Sequence, residues 1–228
     1  IEACLVGSEM CIRDRTAGGL NGLISCAEWT GIPLHYLLDE AGLDASATWV
    51  VAEGADAAGM NRSVPLSLAT SDAMLALYQN GEPLRRSQGF PMRLLVPGCE
   101  GNLSVKWLRS LKVMNQPAHT REETSKYTDL QLDGKAWQFS LRMGVKSVIT
   151  SPSGQMQLPE QGVFEITGLA WTGHGSVRRV EVSADGGRSW TDAVIQSEIG
   201  EHRPVRFRIP LRWNGQPAVL QSRAVDSV

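Results

Sequence analysis

Beyond residue 147 the chain is a succession of short runs in which apolar and charged side chains alternate. Val180 and Val182 alternate with Arg179 and Glu181, and Val205, Phe207 and Ile209 alternate with Arg206 and Arg208. Successive side chains of a strand point to opposite faces, so a period of two builds a sheet with one buried and one wet face. Asp185-Gly186-Gly187 supplies a hairpin turn between two such runs. Together with "VFEITGLAW", "RPVRFRIPLRW" and "AVLQSRAV" they predict an immunoglobulin-like sandwich over 147–228, which no cysteine pair pins. Trp171, Trp190 and Trp213 read as core and edge packing of that sandwich.

The first half has a different texture. "LISCAEW" reads as a short strand, and "TGIPLHYLLDEAGL" as a helix with Pro33 near its start, Leu34, Leu37, Leu38 and Ala41 on one face and Gly42 as the stop. A strand "TWVVAEG" leads into the loop "ADAAGMNRS", a candidate site rim that carries Asp56 and Arg62. Asn80-Gly81 marks a hairpin inside "AMLALYQNGEPL". Then come the strand "MRLLV", the turn "PGCEGN" and the extended run "SVKWLRSLKVM". One helix among many strands argues for a mixed α+β domain over 16–114 and against a doubly wound parallel sheet. Residues 115–146 lose periodicity and read as a long connection, of the kind that usually has a function. Residues 1–15 have no clean period, and "SEMCIRDR" resembles translated adapter read-through, so they are set apart as non-native.

A net charge of −2 with both signs interspersed provides no broad basic field, which argues against nucleic acid or an acidic membrane as a general partner. No apolar run approaches the roughly 20 residues of a membrane span. Cys4, Cys11, Cys26 and Cys99 lack paired metal spacing and read singly as small buried hydrophobes. His35, on a leucine-rich helix, reads as a surface or half-buried side chain rather than a ligand. Within "GFPMRLLVPGCEGNLSVKWLRSL", Arg93 and Lys106 bracket a segment otherwise apolar or turn-forming. Two readings are open for them: side chains that snorkel from edge strands to water, or cations fixed around a small buried anion.

Several ordered stretches, "EGAD", "LALYQNGEPL", "GFPMRLLVPG", "SVKWL", "SKYTDL" and "GLAWTGHGSVRRVEVSADGGRSW", are similar to the sulfite oxidase family of molybdopterin enzymes. The molybdenum subunit of Sox-type sulfite or sulfane dehydrogenases resembles the chain most. The resemblance implies a sulfite-oxidase-type molybdopterin-binding domain, only part of which is present, followed by an immunoglobulin-like domain that forms a homodimer. It implies that the molybdopterin is held by Asp56, Gln88, Arg93, Ser104, Val105 and Lys106, with Gln88 standing where animal members carry histidine. Tyr127 matches the family's active-site tyrosine. The implied reaction is oxidation of sulfite, or of sulfane sulfur on a partner protein, by oxygen-atom transfer, with electrons passed to a cytochrome c in the bacterial periplasm.

Cys26 does not match the family's molybdenum-ligating cysteine, which is expected upstream of this sequence. The chain thus reads as a fragment truncated at both ends, inactive by itself, with no metal ligand of its own. Two alternatives stand beside the enzyme: a non-catalytic dimerisation or binding module on the same fold, or a family member with another substrate, such as a plant-type sulfite oxidase or a nitrate reductase.

Overall fold

The computed structural model describes residues 19, 20, 22–154 and 156–228, together with the backbone of 2–5. The reading of residues 1–15 as non-native therefore lies almost wholly outside the described residues, as does Cys11. The chain is mostly strands with a few short helices and divides into two units, one holding 27–142 and the other 143–228, each joined by part of the N-terminal segment.

In the first unit the strands β1 (Glu2–Leu5) and β2 (Ser25–Pro33) precede helix α1 (Leu34–Ala41). The helix starts later than its sequence pattern predicts, because Thr30–Pro33 continue β2 and pair with the strand that follows α2. Leu34 and Leu38 are buried, whereas Leu37 and Ala41 face outward, so the apolar stripe is narrower than predicted. Strands β3 (Trp49–Gly54) and β4 (Asn61–Pro65) form a hairpin in which Ala52 opposes Arg62. Arg62 is thus a buried strand residue, not part of a loop rim. Helix α2 (Leu66–Ser71) was not predicted from the sequence; six residues cannot display a helical period.

Strands β5 (Met74–Gln79) and β6 (Glu82–Pro83) turn at Asn80-Gly81, both with φ positive as a type I′ turn needs. Strand β7 (Arg93–Leu95) adds to β5, giving the order β1-β2-β5-β6 with β7 also on β5. Strand β8 (Leu108–Met114) completes a second sheet, β4-β3-β8. The core packs Leu34, Leu38, Val50, Ala52, Val64, Leu68 and Leu94 with Cys99, Leu103 and Val105. Cys99 is the small buried hydrophobe expected of it, but Cys26 is exposed.

The connection has structure. Helix α3 (Arg121–Ser125) begins with a capping box in which Thr120 and Glu123 satisfy each other's backbone N–H groups. A small hairpin follows, β9 (Asp129–Leu130) on β10 (Ala136–Trp137). Through residue 142 this stretch belongs to the first unit.

The second unit is a sandwich of two antiparallel sheets. One has the order β11 (Lys146–Ser151), β12 (Gly162–Trp171), β16 (Val205–Trp213), β15 (Val194–Ile195), and the other β14 (Thr191–Asp192), β13 (Val177–Ser183), β17 (Gln221–Asp226). Val180, Val182, Val205 and Phe207 meet Ile166 in the core, as the alternation predicts. Glu181, on the wet face, is nonetheless nearly covered, because Arg223 donates to it at 2.7 Å and Arg179 lies 3.6 Å away. Trp171 is core, Trp190 takes the Arg223 guanidinium over its ring, and Trp213 packs edge-on against Phe164. Asp185 anchors the long turn, accepting from the backbone of Arg188 and Ser189 and from the Ser189 hydroxyl, and these donors hold its carboxyl well below the usual carboxylate range.

In this unit sheet and core meet closely at Gly168, where an added Cβ would fall 2.2 Å from Phe207 Cζ and 2.4 Å from the Val148 carbonyl oxygen. Gly168→Ala is expected to destabilise this unit by about 1–3 kcal/mol through overpacking, measured by urea unfolding. A loss below about 0.5 kcal/mol would mean that the two strands separate freely there.

Candidate cofactor and active site

One turn organises the first unit's cations. Residues Arg86–Gln88 form a single 3-10 turn, and its three successive carbonyls point at three donors. The Arg86 carbonyl accepts from Trp107 Nε1 at 2.9 Å, that of Ser87 from Lys106 Nζ at 2.7 Å, and that of Gln88 from Arg93 Nη1 at 3.3 Å. The turn is closed by Gly89, whose φ of 109° no L side chain adopts comfortably, and whose missing Cβ leaves room for Lys106.

Arg93 enters from β7, is 2% exposed, and donates from Nη2 to the Ser104 carbonyl at 2.7 Å. Its guanidinium lies 5.2 Å from the centre of the Trp29 ring, and its Nε has no hydrogen-bond partner. Burial lowers its pKa to about 10. Lys106 is also held below its ordinary value, first by burial and then by repulsion from Arg93. No carboxylate of the described residues lies within ion-pairing distance of either cation. Two neighbouring desolvated cations without a counter-charge form an anion site, since an incoming anion relieves both penalties. Snorkelling is ruled out for Arg93 by its burial.

Beside them lies a cavity of about 160 Å³, lined by Asp56 and Met60 from the β3–β4 loop, by Gly101, Asn102 and Ser104–Trp107, and by Tyr127. The loop is fixed by Asp56, whose side chain accepts from the Met60 N–H at 3.0 Å, and by the Ala55 N–H, which donates to the Trp107 carbonyl at 2.8 Å. The Ser104 hydroxyl accepts from the Val96 N–H at 3.1 Å, so it also ties its loop to the strand leaving β7. Tyr127 is held through its backbone N–H, which donates to the carbonyl of Glu122 in the first turn of α3.

Of the residues singled out in the sequence, Asp56, Ser104, Val105, Lys106 and Tyr127 therefore share one cavity. Arg93 sits behind it, bonded to Ser104, and Gln88 lines a different cavity with Gln79, Asn80, Glu82 and Arg85. Met60, Asn102 and Trp107 were missed: loop residues of ordinary type carry no local signal. Cys99 is no candidate thiolate, because burial pushes its thiol up to about 12.

The model of the oxidoreductase molybdopterin binding domain matches residues 5–122, and that of the Mo-co oxidoreductase dimerisation domain matches 135–216. Fold and domain matches thus place the chain among the molybdopterin-binding oxidoreductases. Mitochondrial sulfite oxidase of Mus musculus is 34% identical over 194 residues, covering 78% of this chain and 35% of its own length. Nitrate reductase [NAD(P)H] of Hordeum vulgare is 33% identical, over 77% of this chain and 23% of its own. Among solved structures, the sulfane dehydrogenase SoxCD from Paracoccus pantotrophus superposes with a TM-score of 0.92 at 42% identity, over 99% of this chain and 60% of that one. The chain belongs to the sulfite oxidase family, and spans about a third of the length of the sulfite oxidases it matches.

The residues present fit the family's cofactor. Molybdopterin ends in a phosphate, and the orphaned Nε of Arg93, the unpaired charge of Lys106 and the cavity in front of them are what a buried phosphate requires.

Gly89→Ala is expected to cost about 1–3 kcal/mol from the positive φ alone. It should also push Lys106, whose Cβ would lie 3.0 Å from the new methyl. Faster hydrogen exchange of the Trp107 indole N–H, which the same turn holds, would report that displacement; unchanged exchange would show that the turn is not what orders this loop.

Proposed function

We propose that the protein oxidises a sulfur centre, sulfite or a sulfane carried on a partner protein, at a molybdopterin cofactor bound by this chain. The observation that carries this reading is the pair of cations without carboxylate partners, Arg93 and Lys106, fixed by one turn beside the cavity that also holds Tyr127. The 42% identity to a sulfane dehydrogenase favours sulfur over nitrate as substrate.

When bound, the cofactor supplies two-electron transfer of an oxygen atom to a sulfur lone pair. Arg93 and Lys106 would neutralise its phosphate, and Ser104 and Val105, which line the same cavity, would hold it there. Asp56, with its loop already ordered by its bond to Met60, is an acceptor for the pterin's ring N–H groups. Gln88 contributes its carbonyl to Arg93 rather than its side chain to the shared cavity, so in this chain it acts on the cofactor by positioning that cation. The Tyr127 phenol would supply a hydrogen-bond donor to an oxygen that gains charge in such a transfer, from a backbone already fixed by α3. A cytochrome c that accepts the electrons, a homodimer through the second unit, and location in the bacterial periplasm belong to the same reading and rest on the resemblance.

In the full-length protein, Arg93→Met and Lys106→Met are expected to lower cofactor retention after purification at least tenfold, measured as molybdenum per polypeptide. Tyr127→Phe should retain the cofactor and lower kcat for sulfite or carrier-bound sulfane by about 100-fold, followed as cytochrome c reduction. Full cofactor retention in both cation variants would overturn the assignment.

A further inference from the structure

The cavity explains Tyr127 but leaves Arg62 without a task. Arg62 is 1% exposed on β4, and its guanidinium carbon lies 5.0 Å from the centre of the Tyr127 ring. Its Nε stands 3.9 Å from Glu123 Oε1, an ion pair too long for a hydrogen bond, and neither Nε nor Nη1 has a hydrogen-bond partner. Glu123, fully buried, has its oxygens committed elsewhere: it accepts from the Ser63 N–H, from the Ser63 hydroxyl at 3.2 Å and from the Thr120 N–H at 3.0 Å. A buried guanidinium that forgoes so many hydrogen bonds costs more than a methionine of similar length would. The fold nevertheless keeps it against the ring of Tyr127, a residue that lines the cavity.

We propose that Arg62 is a positioning residue: pinned through charge by Glu123, it stacks on Tyr127, fixes the ring at the cavity and stabilises negative charge developing on the phenol oxygen. The geometry forms a closed loop. Helix α3 holds the backbone of Tyr127 through the Glu122 carbonyl, the same helix contributes Glu123, Glu123 anchors Arg62, and Arg62 returns to the Tyr127 ring. A cation over a ring face is attracted to its π-electrons, and more strongly to the ring of a phenol that is giving up its proton. Among the described residues, the other charges around the pair include Glu100 and Glu122 near Arg62 and Asp56 and Lys106 in the lining of the cavity. Burial lowers the pKa of Arg62 and Glu123 raises it, so the guanidinium stays charged at any pH an enzyme meets.

The inference rests on the proposed role of Tyr127, but can be tested without cofactor. The chain has three tyrosines, Tyr36, Tyr78 and Tyr127. Biosynthetic 3-fluorotyrosine gives each a 19F resonance, and Tyr127→Phe assigns the one of interest. In Arg62→Met the titration midpoint of Tyr127 is expected to rise by about one pH unit or more, as loss of a unit charge 5.0 Å from the ring centre at a partly buried site demands. The resonances of Tyr36 and Tyr78 should not move. Arg62→Met/Glu123→Gln, which leaves no buried carboxylate orphaned, should show a rise as well, and Glu123→Gln alone, which keeps the cation, a fall. A midpoint unchanged in the double variant, or one that rises in Glu123→Gln, would overturn the proposal. Cofactor-loaded full-length protein separates the two levels: Arg62→Met should lower kcat with little change in KM. If sulfur oxidation proceeds but the Tyr127 midpoint ignores Arg62, only this inference falls. If the midpoint responds but no sulfur substrate is oxidised, the proposed function falls instead.

Discussion

The site depends on one turn of 3-10 helix. Three adjacent carbonyls at Arg86, Ser87 and Gln88 take a tryptophan indole and an ammonium from one loop and a guanidinium from β7. Carbonyl dipoles solvate cations without neutralising them. The turn therefore does what water would do for Lys106 and Arg93 while leaving their charge available. A carboxylate in the same place would have been a stronger partner and would have cancelled the charge that an anionic cofactor needs.

The same principle operates on the far side of the cavity with the opposite arrangement. Arg62 does have a carboxylate, Glu123, but one whose oxygens are occupied by the N-terminus of α3 and by the edge of β4. The ion pair is kept at 3.9 Å, and much of the guanidinium is turned to a ring instead of to hydrogen bonds. Buried polar groups with incomplete hydrogen bonding are rare because each costs of order 1–3 kcal/mol. Among the described residues of this unit they fall on Arg62 and its neighbour Asn61, on Arg93, and on Asn102 of the cavity lining. Stability is given up where function is proposed, and the sheets and the apolar core around Leu94, Val96 and Val105 supply it.

Much of this could be read from the chain in order. The alternation of Val205, Phe207 and Ile209 with Arg206 and Arg208 specified β16, and Asn80-Gly81 specified the β5–β6 hairpin, because both signals are local along the chain. Helix α2 escaped because it is too short to repeat anything. Helix α3 carried a readable mark, Thr120 with Glu123 three residues on, inside a stretch otherwise taken for a connection. Arg62 looked like a loop residue because Asn61 and Gly59 precede it, yet its pairing with Ala52 buries it in a sheet.

What the sequence determined by itself was the succession of strands, the sandwich in the second unit, and the motif resemblance that brought Asp56, Arg93, Lys106 and Tyr127 forward. Those are properties of neighbours along the chain or of ordered motifs, and both survive in one dimension. Only the tertiary structure decided that Arg93 is sealed while Lys106 is half open, that Gln88 serves with its carbonyl, and that Glu123, Arg62 and Tyr127 close a loop. Burial and counter-charge are sums over residues separated by tens of positions, so they have no value until the chain has brought those residues together.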